Sequence, residues 1–367
     1  MTNKRNIVLV INDLKGNGAE RVVITLATGF TEAGHRASIV CFKDHIELPI
    51  PSNIPVHIFS EKYFRWIPRS IRGRLTAPFL DRFIRNKIGL PDLLLSNLMP
   101  SDRILGYSRL ANVFFVIHST IHQEVKNYYP TKIKRELSIR KKLYSRKPTI
   151  AVSKGVEDSI TKLLGKSRNF VTQTIYNPID ANLILESAKS NPIDIVPDAI
   201  LHVGKFNQAK RQDKLIRAYY NSRCPYPLVF IGKGPLLEEA KDLVTELGLD
   251  KNVHFLGFRK NPYPYIKAAR LLILCSDFEG LPTVLIEALA LNKPAISTNC
   301  NSGPREILRP INLCENTVNG LSLKLKDAAR EPNKFKTPLS EEFEIQKVTN
   351  AYLLLADHQA ASLCELD

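Results

Sequence analysis

The stretch 271–307, LLILCSDFEGLPTVLIEALALNKPAISTNCNSGPREI, constrains the fold more than any other part of the chain. It opens with an apolar run short enough to be a buried strand, and a polar loop follows. Pro282 stands where a helix would begin, because the first helical N–H needs no partner. The helix predicted over 282–291 is almost wholly apolar, and another strand is predicted over 294–298. This order predicts a βαβ unit with a ligand site at the carboxyl end of its first strand.

Two glutamates in this stretch are separated by seven residues. Glu279 lies in the predicted loop, and Glu287 lies in the middle of the apolar helix. A carboxylate among apolar side chains is costly unless something binds it. We expect Glu287 to accept hydrogen bonds from two hydroxyls of a ribose, and Glu279 to reach a hydroxyl-rich group at the mouth of the site.

Two other turns in the second half combine glycine with lysine. Gly204 and Lys205 follow a predicted strand, with Lys210 nearby, and the run GKG at 232–234 follows the next strand. Glycines let the backbone approach a phosphate, and lysines neutralise its charge. Cations beside two carboxylates suit a nucleotide sugar, whose diphosphate is anionic and whose sugars carry many hydroxyls.

The first half also opens with a strand, predicted over 6–11, and a glycine-bearing loop. Gly16 and Gly18 precede a predicted helix, so the loop could be a phosphate cradle with free amides at the helix N-terminus. Arg21 occupies the place of the third glycine of a dinucleotide fingerprint, which disfavours a nicotinamide or flavin cofactor. A tight turn with no ligand is the alternative.

His118 closes a strand predicted over 112–118, at the carboxyl end where functional residues gather. A structural histidine is the alternative. His122 follows four residues later, but no carboxylate lies between the two, so a metal site at this pair is disfavoured.

The net charge of +16 is concentrated in one region. Residues 62–147 contain 19 Lys and Arg against 5 Asp and Glu, so the partner of this region should be anionic. Eight basic residues in 132–147, with apolar residues between them, predict an amphipathic helix that binds anionic lipid. Nucleic acid is the competing anion, and it is disfavoured because the region contains no nucleic-acid-binding motif.

The stretch 62–87 mixes aromatic, aliphatic and basic residues, and two prolines and a glycine interrupt it. We therefore predict one or two short helices here. An element lying in a membrane interface and a solvated helical face over the core fit this composition equally well.

Length and cysteine usage limit the protein class. The 367 residues allow two or three domains, and six cysteines without a C-x-x-C pair predict reduced, buried thiols in a cytosolic protein. The first apolar run is too short and too quickly interrupted for us to expect a signal peptide, and no apolar run approaches membrane-spanning length.

The order of predicted elements gives an α/β fold with two doubly wound domains, 1–180 and 181–349. The first domain includes a strand predicted over 170–175. In the second domain a last strand is predicted over 319–325. Ser340 is predicted to cap a final helix.

Several motifs, taken in order, resemble the GT-B glycosyltransferases of family 4, the retaining enzymes with an E-x7-E motif. The motifs are Ala19-Glu20-Arg21 after the glycine loop, His118, AVS at 151–153, YNP at 176–178, LHVGKFNQAKRQDKLI at 201–216, FIGKGP at 230–235, and SDFEGLPTVLIEALALNKPAI at 276–296. The resemblance covers nearly the whole chain. It implies two Rossmann-like domains that face each other across a cleft, with the C-terminal helix, 350–367, packing back on the acceptor-binding first domain.

The resemblance also implies roles for individual residues. Lys205 and Lys210 would hold the donor diphosphate, Glu279 would contact the donor sugar, and Glu287 would bind the ribose. His118 would lie beside the transferred sugar. The loop of Gly16 and Gly18 would close on the donor phosphate or the acceptor. The other positions implied to bind the donor are Gly204, Gly234, Gly280, Leu281, Pro282 and Thr283.

The implied reaction transfers a sugar from a nucleotide sugar, such as a UDP-sugar, with retention of configuration and without a metal ion or other cofactor. The sequence contains no D-x-D pair for a divalent cation. The expected acceptor is a membrane-associated glycan, either a lipopolysaccharide core or a polyprenyl-diphosphate-linked oligosaccharide. We expect a peripheral enzyme on the cytoplasmic face of the membrane, docked on anionic lipid through 62–147. A soluble acceptor, and a nucleic-acid-binding protein of another class, are the alternatives.

Overall fold

The computed structural model describes residues 4–16, 18–165, 172–192 and 194–364, and the side chains of 172 and 357–364 are not described. The chain divides into two compact units. The first comprises Met1–Pro178 and Glu342–Asp367, and the second comprises Ile179–Glu341. Part of the strand predicted over 170–175, and the end of the helix predicted over 350–367, lie outside the described residues.

The first unit contains a seven-stranded parallel sheet in the order β3-β2-β1-β4-β5-β6-β7. Its strands are β1 Asn6–Ile11, β2 Arg36–Cys41, β3 Val56–Ile58, β4 Leu93–Asn97, β5 Val113–Ile117, β6 Thr149–Ala151 and β7 Thr172–Thr174. Ile7 in β1 lies opposite Ala37 on one side and Leu93 on the other. The central strands are continuous apolar runs because a parallel sheet is covered on both faces.

Six helices connect or flank these strands within the described residues. They are α1 Gly18–Glu32, α2 Arg69–Lys87, α3 Met99–Leu105, α4 Ile121–Tyr128, α5 Ile133–Tyr144 and α6 Lys154–Leu164. The prediction of one or two short helices over 62–87 was partly wrong: a 3-10 turn, Glu61–Phe64, precedes a single 19-residue helix that contains Pro78. Burial of Ala77 and Leu80 on the opposite side of α2 offsets the backbone hydrogen bond that Pro78 removes.

The second unit contains a six-stranded parallel sheet in the order β10-β9-β8-β11-β12-β13. Its strands are β8 Ile200–Val203, β9 Leu228–Ile231, β10 Val253–Gly257, β11 Leu271–Leu274, β12 Ala295–Thr298 and β13 Leu313–Cys314. The helices of this unit are α7 Ala181–Ser187, α8 Gln212–Ser222, α9 Leu237–Glu246, α10 Tyr263–Ala268, α11 Thr283–Ala290, α12 Pro304–Ile307 and α13 Val318–Arg330. Cysteines whose side chains are described are free thiols, and four of these five are buried as predicted, whereas Cys224 is only partly buried.

The prediction of a strand over 319–325 was wrong, because this segment lies in α13. The alternation in GLSLKL is typical of a strand. Over a longer window, however, Leu321, Leu325 and Ala328 recur at helical spacing, and all three are buried. Thr317 caps the helix, since its hydroxyl accepts a hydrogen bond from the Gly320 amide at 3.0 Å.

The C-terminal helix, α14 Ile345–Cys364, packs against α1 in the first unit. It begins five residues after Ser340, which therefore does not cap it. The rings of Phe30 and Tyr352 meet edge to face at 6.2 Å. The Arg5 guanidinium donates a hydrogen bond of 2.7 Å to the Leu353 carbonyl. Gly29 allows this close approach, because a Cβ there would lie 2.8 Å from Ile345 Cγ1.

A buried carboxyl group joins three elements of the first unit beneath the end of β4. Asp102 of α3 is completely buried, and it accepts a hydrogen bond of 2.7 Å from the Ser96 hydroxyl. The Tyr144 hydroxyl of α5 lies 3.5 Å from its other oxygen. Burial raises the pKa of Asp102 well above its ordinary value, although these two hydrogen bonds act in the opposite direction.

We predict that Asp102→Asn becomes increasingly stabilising as pH rises. In the wild type the unfolded carboxyl group releases its proton above about pH 4 while the folded group holds it, so stability falls as pH rises towards the folded pKa. Asparagine does not titrate, so the variant keeps the free energy of unfolding that the wild type loses as pH rises. Its melting temperature relative to wild type should rise by roughly 2–4 °C for each kcal/mol of this difference. Thermal unfolding between pH 4.5 and 8 tests this, and a difference independent of pH would contradict it.

Candidate active site

The order of strands in the second unit creates a topological switch point between β8 and β11. From β8 the chain proceeds through β9 to β10 on one side, and from β11 it proceeds through β12 to β13 on the other. Loops after two such strands diverge, and ligands of open α/β sheets bind in the crevice that they leave at the carboxyl edge. The second unit therefore places its candidate site where the loops after β8 and β11 begin.

Lys210 and Glu279 meet at this point, although 69 residues separate them in the chain. The Lys210 ammonium lies 2.5 Å from Glu279 Oε1, and the Ser276 hydroxyl donates to the same oxygen at 2.5 Å. The lysine side chain is 21% exposed and the glutamate side chain 10%, so the pair stands at the boundary between protein and solvent. A cation and a carboxylate with hydroxyl-binding capacity thus occupy one edge of the sheet.

A second group of charged residues ties together the loops that carry Lys210 and Glu279. The amide of Asp277 donates to the Ala209 carbonyl at 2.8 Å, while its carboxylate accepts from Arg211 at 2.7 Å and from Lys214 at 2.5 Å. Burial acts to raise the pKa of Asp277, but the hydrogen bonds from Lys214 and Arg211 outweigh it and hold the pKa below its ordinary value. This network was not predicted from the sequence. The sequence did contain a signal for it, because charged residues cluster after β8 and after β11.

The glycines of the two lysine-bearing turns are required by packing between the turns. A Cβ on Gly232 would collide with the carbonyl of Gly204, and a Cβ on Gly234 would collide with the backbone of Phe206. The two loops therefore lie directly against each other. Lys205, between Gly204 and Phe206, remains exposed at this edge.

The turn Gly280, Leu281, Pro282, Thr283 leads from the Glu279 loop into α11 and is held by the loop after β12. The Ser302 hydroxyl donates to the Gly280 carbonyl at 2.9 Å. Gly303 has a left-handed backbone with φ of 85°, and a Cβ there would lie 2.5 Å from Pro282 Cδ. Thr283 begins the helix, and Glu287 lies four residues later on the same helical face. Glu287 is 7% exposed.

His118, Gly16 and Gly18 belong to the first unit, at the carboxyl edge of its sheet. His118 follows β5, and its Nε2 lies 3.0 Å from Oδ1 of Asn97 at the end of β4. Since that oxygen accepts, Nε2 carries the proton. Burial lowers the pKa of His118 to about 4, so the ring is neutral at pH 7. Gly16 has a φ of 102°, and Gly18 is the first residue of α1.

The basic region 62–147 differs in one respect from the sequence prediction. Arg140 is buried, and it pairs with Glu124 at 2.5 Å and with Glu136 at 3.4 Å, so it does not belong to an exposed basic face. Its guanidinium instead joins α5 to α4. The exposed basic residues of α5 are Lys134, Arg135, Lys141 and Lys142.

Large apolar side chains lie exposed on the 3-10 turn, on α2 and on the segment between them. Tyr63 is 79% exposed and Trp66 is 80% exposed. Ile71, Leu75 and Phe79 follow on α2 at intervals of four residues, which places them on one stripe of the helix. Across the described residues, no helix has the length and apolarity to cross a bilayer.

Two family models match nearly the whole chain. The model described as Glycosyltransferase Family 4 matches residues 16–183, and the model described as Glycosyl transferases group 1 matches residues 185–341. The first match begins after β1 and contains β2 to β7, and the second contains all six strands of the second sheet. The first contains the loop of Gly16 and Gly18, and the second contains the Lys210–Glu279 pair.

Similar proteins include enzymes with lipid-linked or lipopolysaccharide names. A Campylobacter jejuni N-acetylgalactosamine-N,N'-diacetylbacillosaminyl-diphospho-undecaprenol 4-alpha-N-acetylgalactosaminyltransferase is 37% identical over 37% of this chain and 37% of its own length. The lipopolysaccharide 1,6-galactosyltransferase of Salmonella typhimurium is 30% identical over 44% of this chain and 45% of its own length. The chain thus spans less than half the length of each.

A solved structure resembles both units in the same order. HepE of Anabaena, in complex with UDP and glucose, gives a TM-score of 0.71 at 19% identity, and the match covers 98% of this chain and all of that one. At this identity the likeness establishes the fold. It confirms the predicted α/β class with two Rossmann-like domains.

We predict that Asp277→Asn lowers the stability of the second unit at neutral pH. The change removes the charge that compensates the buried Lys214 ammonium. Because Asp277 itself is 37% exposed, solvent screens the pair, and the loss in free energy of unfolding should be only about 1–3 kcal/mol. The folded pKa of Asp277 is lowered, so its contribution exists above the unfolded pKa and disappears as pH falls through the folded value. The melting temperatures of variant and wild type should therefore converge in acid.

Glu238→Gln is the matched control for Asp277→Asn. Glu238 pairs with Lys241 on the surface of the same unit, where its side chain is 76% exposed. Its loss should change stability by less than about 0.5 kcal/mol. Equal effects of the two variants in thermal unfolding at pH 7 would rule out a special role for Asp277.

Proposed function

Since the chain is a family 4 glycosyltransferase, we propose that it transfers a sugar from a UDP-sugar to a membrane-associated glycan, with retention of configuration and without a metal ion. The observation that carries this proposal is the Lys210–Glu279 pair at the switch point of the second sheet. UDP as the nucleotide is supported by its presence in the HepE complex.

Cations beside the diphosphate supply the main chemical assistance in this proposal. As the bond between sugar and diphosphate breaks, negative charge accumulates on the departing oxygen. Lys205, exposed at the carboxyl edge, and Lys210, held 2.5 Å from Glu279, stabilise that charge. The amides at the start of α11 add partial positive charge where the turn reaches the phosphates. The lack of a D-x-D pair in the sequence accords with a reaction that uses these groups in place of a divalent cation.

The two glutamates divide recognition of the donor between them. The hydrogen bonds from Lys210 and Ser276 both reach Oε1 of Glu279, so we assign Oε2 to a hydroxyl of the transferred sugar. Glu287 lies one helical turn beyond Thr283, and we assign it to the ribose hydroxyls. A carboxylate can accept hydrogen bonds from two hydroxyls, which suits both assignments.

The first unit contributes a neutral histidine in the proposed reaction. His118 donates its Nε2 proton to Asn97, which orients the ring at the end of β5. The low pKa keeps the ring uncharged, so it can serve the sugar as a polar group without attracting the diphosphate. The loop of Gly16 and Gly18 is assigned to closing on the donor phosphate or the acceptor.

A lipid-linked or lipopolysaccharide acceptor is supported by the relatives and by the surface of the first unit. The names of the two relatives specify diphospho-undecaprenol and lipopolysaccharide. Exposed basic residues on α5, and exposed Trp66 and Phe79 near α2, are suited to anionic head groups and the acyl boundary respectively. We therefore place the enzyme peripherally on the cytoplasmic face of the membrane.

We predict that Glu287→Ala and Glu279→Ala separate nucleotide binding from sugar transfer. Glu287→Ala removes the ribose contacts and should lower UDP affinity by roughly tenfold or more. Glu279→Ala should leave UDP affinity unchanged and lower the rate of sugar transfer by about 10²-fold. UDP titration and a transfer assay, after a screen of UDP-, GDP- and ADP-sugars identifies the donor, make the measurement. Equal losses of UDP affinity in the two variants would contradict this division.

The membrane proposal predicts binding to anionic vesicles that the single tryptophan reports. Trp66 is the one tryptophan of the chain, so its emission should shift to shorter wavelength with phosphatidylglycerol vesicles and stay unchanged with phosphatidylcholine alone. Each well-placed basic residue contributes about 1 kcal/mol, so replacing the four exposed basic residues of α5 by serine should lower vesicle affinity at least tenfold.

The control for the vesicle experiment removes the same number of charges from the second unit. It replaces four exposed lysines by serine: Lys241, Lys251, Lys267 and Lys326. Arg140 is left intact in both variants because its loss would remove the ion-pair partner of Glu124 and Glu136. If both fourfold variants lose affinity equally, binding depends on net charge and not on this surface.

A further inference from the structure

A buried hydrogen-bond chain in the second unit ends on the backbone of Lys205. His202 of β8 is fully buried, and its Nδ1 lies 2.9 Å from the Ile273 carbonyl in β11. Its Nε2 lies 3.3 Å from the side-chain amide nitrogen of Gln212, the first residue of α8. The same amide nitrogen lies 3.1 Å from the Lys205 carbonyl.

The direction of donation is determined for every hydrogen bond in this series. The Ile273 and Lys205 carbonyls only accept, so Nδ1 of His202 must donate to Ile273. Nε2 of the neutral ring is then an acceptor, and the Gln212 amide has two N–H groups for two acceptors. Burial lowers the pKa of His202 to about 4, against the hydrogen bond to Ile273, so the ring stays neutral. Every donor of the chain has one acceptor.

The backbone amides of the two residues next to Lys205 are also bonded. The Gly204 amide donates to the Ile231 carbonyl at 2.9 Å, and the Phe206 amide donates to the Lys233 carbonyl at 3.1 Å. The peptide unit between Lys205 and Phe206 is therefore held at both its carbonyl oxygen and its N–H. Gly204 also leaves room for these hydrogen bonds, because a Cβ at this position would lie 3.2 Å from His202 Nε2.

We propose that Gln212, oriented by His202, is a positioning residue that fixes the Lys205 backbone so that its exposed side chain meets the donor diphosphate. This inference rests on the proposed function, which assigns Lys205 to the diphosphate. Neither Gln212 nor His202 touches the donor in this scheme. They act by fixing the direction in which the Lys205 side chain leaves the loop.

The test replaces Gln212 with two side chains of similar size. Gln212→Met removes both N–H groups, and Gln212→Glu places carboxylate oxygens opposite two acceptors. UDP affinity should fall about tenfold for the first and further for the second, while affinity for uridine, which has no phosphate, should change less than about twofold. Gln208→Glu adds the same charge at an exposed position of the same loop, and it should leave UDP affinity within about threefold of wild type.

A double-mutant cycle with Lys205→Ala identifies the route of the effect. If Gln212 acts through Lys205, then Gln212→Met should cause no further loss of UDP affinity in the Lys205→Ala background. Additive losses, or a parallel loss of uridine affinity, would overturn the positioning role and leave the proposed function intact. UDP affinity that is unchanged in Lys205→Ala would instead overturn the assignment of Lys205, and the positioning role with it.

Discussion

The contact between Lys210 and Glu279 depends on a single constraint, the pairing of β8 with β11 in a parallel sheet. Leu271 lies opposite Ile200, so the two strands run side by side and end at the same edge. The loops that follow must then share one small region, although their residues are far apart in the chain. A short-range charge interaction of this kind requires such a scaffold, because both of its residues lie in loops between a strand and a helix.

The loops at this edge are supported by two networks with different electrostatics. Asp277 and Arg211, which are partly exposed, form a charged network with the buried Lys214, and solvent around the first two reduces the cost of the charges. His202 and Gln212 form a neutral network in the interior, where a charge would be expensive. The charged network ties the two loops to each other. The neutral network fixes the backbone of one of them, so the two constraints are complementary.

Much of the fold followed from periodicity, and the exceptions have physical reasons. The strands and the helix of 271–307 were predictable because a buried parallel strand and a buried helix are both short apolar runs bounded by Gly, Pro or polar residues. The segment 319–325 misled because six alternating residues resemble a strand, whereas burial follows the longer helical repeat. Arg140 has an ordinary place in a basic helix, and only its proximity to Glu124 and Glu136 explains its burial.

The sequence by itself determined the class of the protein and the residue types of its candidate site. Gly204, Lys205, Lys210, Glu279 and Glu287 all follow from local pattern, since turns, helix starts and misplaced carboxylates are features of a few consecutive residues. Only the tertiary structure decided which of these residues meet and what supports them. Hydrogen bonds such as that from Gln212 to Lys205 depend on distances of about 3 Å between elements, which no one-dimensional pattern encodes.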